Sequence, residues 1–153
     1  MKESLNHHLA QVNIANLLKP LDHPQIAEFV DNLDKINAVA EQSDGFVWRL
    51  KDESGNATDI QIMDDPMLII NMSVWESVAS LKRFVYHSDH FIFYKKKRKW
   101  FKIMKSFHMA LWWIPKSHIP SVEEAKDRLN AINERGDTEY AFSFRKFFKA
   151  PTI

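Results

Sequence analysis

The chain of 153 residues sets 21 Lys and Arg against 20 Asp and Glu, a formal charge of +1 with histidine neutral. At 45% hydrophobic and 27% charged it is neither low-complexity nor disordered, and a chain of this length buries about 70% of its extended surface without crosslinks. Cysteine is absent, which excludes disulfides, thiolate catalysis and cysteine–zinc sites, and the balanced charge directs no global field at nucleic acid or membrane.

In chain order, Met1–Leu9 carries acid, base and two histidines where a secretory signal would need an apolar core, so a cytoplasmic protein is expected. His8–Ile14 reads as a first strand, with β-branched Val12 and Ile14 ahead of a polar stretch ending at Pro20. Pro24 suits the first turn of a helix. From there Ile26, Phe29, Val30, Leu33, Ile36, Val39 and Ala40 recur at three- and four-residue steps, one apolar helix face that ends near Ser43 with Gly45 at the exit. Phe46–Leu50 is a short strand and Asp52–Asp59 a loop; Ile60 and Ile62 resume a strand, Asp64-Asp65-Pro66 turns, and Leu68–Trp75 follows. Helix signals run from Ser77 to Phe101, with a break at His87-Ser88-Asp89. His108–Ile114 is another apolar strand, and its unbroken run Met109–Ile114 is six residues against the about 20 needed to cross a bilayer. Ser121-Val122-Glu123-Glu124 has the form of a capping box, Val122, Ala125, Leu129 and Ile132 carry a helix to Gly136, and Phe142, Phe144 and Phe147 mark a closing extended segment.

The order is β-α-β-β-α-β with a helix and a strand appended, which predicts a single α+β domain over residues 1–153, a ferredoxin-like antiparallel sheet with helices on one face. Leu68–Trp75 places Leu68, Ile70, Met72 and Val74 on one side and Ile69, Asn71, Ser73 and Trp75 on the other; His108–Ile114 is likewise apolar on both sides. Neither face suits plain water, so a second copy of the chain is expected to cover one of them, giving a homodimer and a dimeric α+β barrel.

The strings HLAQVNIA, GFVWRLKDESGNAT, NMSVWESVASLKRFVYHSDH, HMALWWIP and PSVEEAKDRL resemble a bacterial family known as domain of unknown function 3291, over about His8 to Pro151. At the level of fold the family is similar to the dimeric α+β barrel group, which includes antibiotic-biosynthesis monooxygenases and haem-degrading monooxygenases. Phe84 and Tyr94 stand where the haem-degrading branch carries its Trp and axial His, so a haem role does not carry over. The cofactor-independent monooxygenases carry an Asn and a Trp four residues apart on the corresponding strand, and Asn71 and Trp75 match that pair; their following Tyr falls on Leu81. The resemblance implies an aromatic or quinone-like substrate and no cofactor.

Period two sets Asn71, Ser73 and Trp75 on one strand face, where an amide and an indole N–H aimed into an apolar cavity could hold a developing oxyanion. The alternative is that Asn71 bonds a neighbouring loop and Trp75 fills core. His90 and His87 are the candidate bases, since imidazole titrates near neutral pH, and Trp48, Ser73, Trp113 and His8 are expected to line the pocket. With His108 or His8, the His87/His90 pair could bind a metal, but Ser88-Asp89 reads as a helix-start cap and no metal is expected. Residues 91–105 hold seven bases and no acid with aromatics interleaved; a solvated helix face with rings packed inward accounts for this without nucleic acid. No nucleophile elbow, GxGxxG or P-loop is present. Two classes of function follow: a monooxygenase-like enzyme using Asn71, Trp75 and His90 or His87, or a non-catalytic small-molecule-binding or accessory module.

Overall fold

A computed structural model describes residues 6–51 and 65–151. Four antiparallel strands, β1 (His7–Asn16), β2 (Phe46–Arg49), β3 (Leu68–Trp75) and β4 (Met109–Pro115), form one sheet in the order β2-β3-β1-β4. That is the strand order of a ferredoxin-like unit, reached because each β-α-β connection skips one position: β3 lies between β1 and β2, and β1 between β3 and β4. The helices are α1 (Ala27–Asp31), α2 (Leu33–Glu41), α3 (Val78–His87), α4 (His90–Tyr94) and α5 (Val122–Arg135).

Local chemistry explains the departures from a plain periodic reading. The expected first helix is interrupted at Asn32, whose side-chain amide donates to the Glu28 carbonyl at 2.7 Å and competes with the helical ladder. The break at residues 87–89 is present: Ser88 Oγ donates to the Phe84 carbonyl at 2.5 Å and accepts from the His90 N–H at 3.1 Å, ending α3 and starting α4. Helix then stops at Tyr94 rather than Phe101, and Lys97–Lys99 form a 3₁₀ turn, since stacked lysines repel one another at helical spacing. A reciprocal capping box occurs at Ser77 and Ser80 on α3. At α5 only half of the expected box forms: Ser121 Oγ accepts from the Glu124 N–H, but the Glu124 carboxylate turns instead to Trp112 Nε1 at 2.8 Å and His118 at 2.6 Å. The expected strand at Ile60 and Ile62 lies outside the described residues, as does Asp64; Asp65 makes its turn by accepting from the Met67 N–H at 2.9 Å. Gly45, at φ +84°, lets the start of β2 meet the first turn of α3, where a Cβ would come within 2.4 Å of Ser80 Cβ.

The register assigns the two sheet faces. Ala10, Val12, Ile14, Ile70, Met72, Val74, Ala110, Trp112 and Ile114 make one face, and α5 covers it with Ala125, Leu129, Ala131 and Ile132. Every one of these strand residues is at most 4% exposed, so the face for which a second subunit was expected is filled by the chain's own last helix. The opposite face carries α2, α3 and α4. Its upper row, Trp113, Leu9 and Trp75, packs with Ala40, Val78, Leu81 and Phe142. The closing segment is not a full strand; Phe142 exchanges two backbone hydrogen bonds with Leu111, at 2.8 and 2.9 Å, and shields part of the β4 edge. A third apolar cluster, Leu17, Ile26 and Trp100 with Phe29, Phe93 and Phe101, closes the far end of this face. Among the described residues no helix is long and apolar enough to cross a membrane.

Candidate functional site

Between the two apolar clusters the helical face of the sheet turns polar. Gln11 lies opposite Ser73, and Asn13 opposite Asn71, in the centre of the β1–β3 ladder. Period-two alternation aims all four side chains toward α2, α3 and α4. Gln11 and Ser73 are buried, at 5% and 6% exposure, whereas Asn13 and Asn71 are exposed although they sit mid-sheet beneath helices. The space above them is a cavity of about 280 Å³ continuous with a second chamber of about 520 Å³; Asn71, Ser73, Phe84, His90, Tyr94 and His108 wall both.

Hydrogen bonds orient the polar floor. Gln11 Nε2 donates to Asn71 Oδ1 and to Ser73 Oγ, each at 2.7 Å, and Trp75 Nε1 donates to Ser73 Oγ at 2.8 Å. Ser73 Oγ thereby has both lone pairs occupied, which leaves its proton as the one group it has to offer. Asn71 likewise has its oxygen engaged and its Nδ2 left for the cavity, where it meets no acceptor among the described residues. The floor therefore presents donors: the Asn71 N–H pair and the Ser73 O–H. The expectation that the Trp75 indole N–H is aimed into the cavity is corrected. That donor is spent on Ser73, and the ring, 1% exposed, stacks on Phe84 at 5.2 Å and meets Phe46 edge-on at 5.5 Å as a rigid wall.

The roof supplies the opposite polarity. His90 Nδ1 lies 3.1 Å from the Val85 carbonyl; a carbonyl only accepts, so Nδ1 carries the proton and Nε2 carries the free lone pair. Burial pushes the His90 pKa down, against a smaller opposing effect of the Val85 bond, so the ring is a neutral acceptor near pH 7. His108 is depressed as well, first by burial and then by the charges of Lys97 and Arg98.

The remaining expected residues lie elsewhere. His87 is exposed in the last turn of α3, at the end of the helix, and walls neither chamber. His8 and Trp48 belong to the α5 side: His8 has the parity of Ala10, and the bulge between Phe46 and Trp48 sets Trp48 opposite Val74. Trp113 is on the correct face but beyond the cavity, its Nε1 donating to the Phe148 carbonyl at 2.8 Å. Among the described residues no three His, Asp or Glu side chains converge as a metal site would require. Gln11 and Asn13 were missed. Two polar residues two apart within the Leu9–Ala15 stretch, otherwise built from Leu, Ala, Val and Ile, were the available signal, and they match the Asn71/Ser73 pair in spacing.

A ferredoxin-ordered α+β sheet with a polar-floored cavity under its helices is thus the class that fold and site define. The chain belongs to the family described as domain of unknown function (DUF3291), whose model matches residues 8–153. No curated protein matches it. Among solved structures it is similar to PA3566 from Pseudomonas aeruginosa, at 14% identity over 71% of this chain and 93% of that one, with a TM-score of 0.45. A second, a protein of unknown function, NE2512 from Nitrosomonas europaea, is 12% identical over 75% of this chain and 96% of that one, with a TM-score of 0.46.

Proposed function

We propose that the protein binds a planar aromatic molecule bearing a carbonyl or phenolic oxygen in the cavity above Asn71 and Ser73. The observation that carries this reading is the pair Asn13 and Asn71, exposed to an open cleft in the middle of a sheet where apolar packing is the stable alternative. Aromatic walls at Trp75 and Phe84 favour a flat ring, and the Asn71 and Ser73 donors suit its oxygen.

His90 favours a catalytic extension, chemistry of the cofactor-independent monooxygenase kind. Its Nε2 accepts a proton from an acidic ring position, Asn71 and Ser73 hold the oxyanion that results, and dioxygen reacts with the carbanion. In balance, a ring CH₂ and O₂ become a ring C=O and water. The test is quenching of tryptophan fluorescence by a hydroxynaphthoquinone, run beside oxygen uptake with an anthrone. Saturable binding in the micromolar range that Asn71→Leu weakens by about 10-fold, the worth of one lost hydrogen bond to a ligand oxygen, is expected. Absence of saturable quenching overturns the binding reading; binding without oxygen uptake overturns the catalytic extension alone.

A further inference from the structure

The walls of the cavity have a charge asymmetry that neither the fold nor the aromatic reading requires. Arg49, Lys97, Arg98 and Lys102 wall the first chamber and Lys105 and Arg145 the second, while no Asp or Glu among the described residues walls either. The whole chain has 20 acids for its 21 bases, so this segregation is local. Within the basic run, Lys96 turns outward to Glu28 at 2.8 Å, whereas Lys97 lies over the Tyr94 ring at 4.0 Å and on the cavity side. Arg49 and Arg145 pair with Glu41 and Asp137, whereas none of Lys97, Arg98, Lys102 and Lys105 has a carboxylate partner among the described residues.

The segment is also held in place. The Leu18 N–H donates to the Trp100 carbonyl at 2.8 Å, the Lys102 N–H donates to the Asn16 carbonyl at 2.8 Å, and Trp100 is buried between Phe29 and Phe93. Cations fixed at the rim of a low-dielectric cleft focus a positive potential into it. Their charge already acts inside, since Lys97 and Arg98 help hold the His108 pKa down.

We propose that the ligand is an aromatic acid, its ring over Asn71 and Ser73 and its anionic group met by Lys97, Arg98 and Lys102. This rests on the aromatic-pocket reading and adds the charge of the ligand to it. A matched pair of fluorescent probes separates the two: 1-anilinonaphthalene-8-sulfonate, and N-phenyl-1-naphthylamine, which has the same rings without the sulfonate. The anion should bind at least ~10-fold more tightly than the neutral probe at low salt, with the gap closing as ionic strength shortens the reach of the charges. The combined variant Lys97→Gln, Arg98→Gln, Lys102→Gln, at exposed or half-exposed positions, should remove the preference and leave the neutral probe bound as before. Asn71→Trp, or Asn13→Trp should the first fail to fold, should exclude both probes by filling the chamber. Equal affinities unchanged by the triple variant overturn the charge inference and leave the pocket standing. Binding of neither probe overturns the pocket and the inference together. Sulfonate binding that persists in the filled variant shows adsorption to the basic surface and overturns the inference.

Discussion

Ser73 is the residue on which the candidate site turns. It accepts from Gln11 and Trp75, while Gln11 also donates to Asn71, and these bonds convert a strand face that would otherwise be packed into a directional donor surface. The two cavity imidazoles add a pH dependence whose sign is determined. Both have folded-state pKa values below the ordinary value of about 6.5, so below that pH the unfolded chain takes up protons that the folded chain resists. Stability therefore rises with pH through this window and is lost on acidification through it. The melting temperature should be lower at pH 5.5 than at 7.5, and His90→Gln should flatten the slope; an unchanged slope in that variant would remove His90 from the buried cavity wall. Glu124 acts in a separate, more acidic window. Burial raises its pKa, but the bonds from His118 and Trp112 outweigh this and leave it lowered, so its contribution is lost only as the pH falls below the ordinary carboxylate range.

At the scale of elements, α5 decides the architecture. Its apolar stripe lies on the sheet face built from Val12, Ile70, Met72 and Trp112, and Glu124 ties its first turn to the Trp112 indole. Leu129, 1% exposed at the centre of this packing, should cost about 2–5 kcal/mol when cut to alanine, read as a shift in the urea midpoint at constant slope. Because α5 contributes no wall to either chamber, probe affinity in Leu129→Ala should stay within twofold of the parent below its unfolding transition, on the rule that sites without shared partners act independently. A change in probe affinity without unfolding would mean that the two sheet faces are coupled.

At the scale of the whole molecule, covering one sheet face with α5 alters the expectation for assembly. The apolar area that a partner would have buried on the face of Val12, Met72 and Trp112 is already buried by α5. Light scattering at micromolar concentration should therefore return 18.0 kDa. A doubled mass would place the partner on another surface, one carrying exposed Tyr86, Ile92 and Phe147 being a candidate. The variant Ile92→Glu would then split the dimer without touching α5.

Much of this molecule was legible in its sequence, because much of it is written in local periodicity. Strand β3 matches its predicted bounds, the break at Ser88 follows from one hydroxyl and two backbone groups, and α5 runs from a serine cap to a glycine with positive φ. The placement of Asn71 and Ser73 on one strand face is likewise a consequence of alternation. What alternation does not contain is which element lies over which face. The docking of α5 depends on the sheet's two-sided hydrophobicity and on a Glu124–Trp112 contact across twelve residues, and the sequence admits a second subunit equally well. The same holds within the site: Trp75 and His87 are ligand contacts by residue type, yet Ser73 captures the indole and His87 ends exposed at the last residue of α3. Gln11 and Asn13 lie 60 or so residues from the side chains they face, brought there by the β1–β3 register alone. Tertiary packing decides such cases because hydrogen-bond donors and apolar faces are satisfied by whichever partner the fold brings within reach, and chain order does not name that partner.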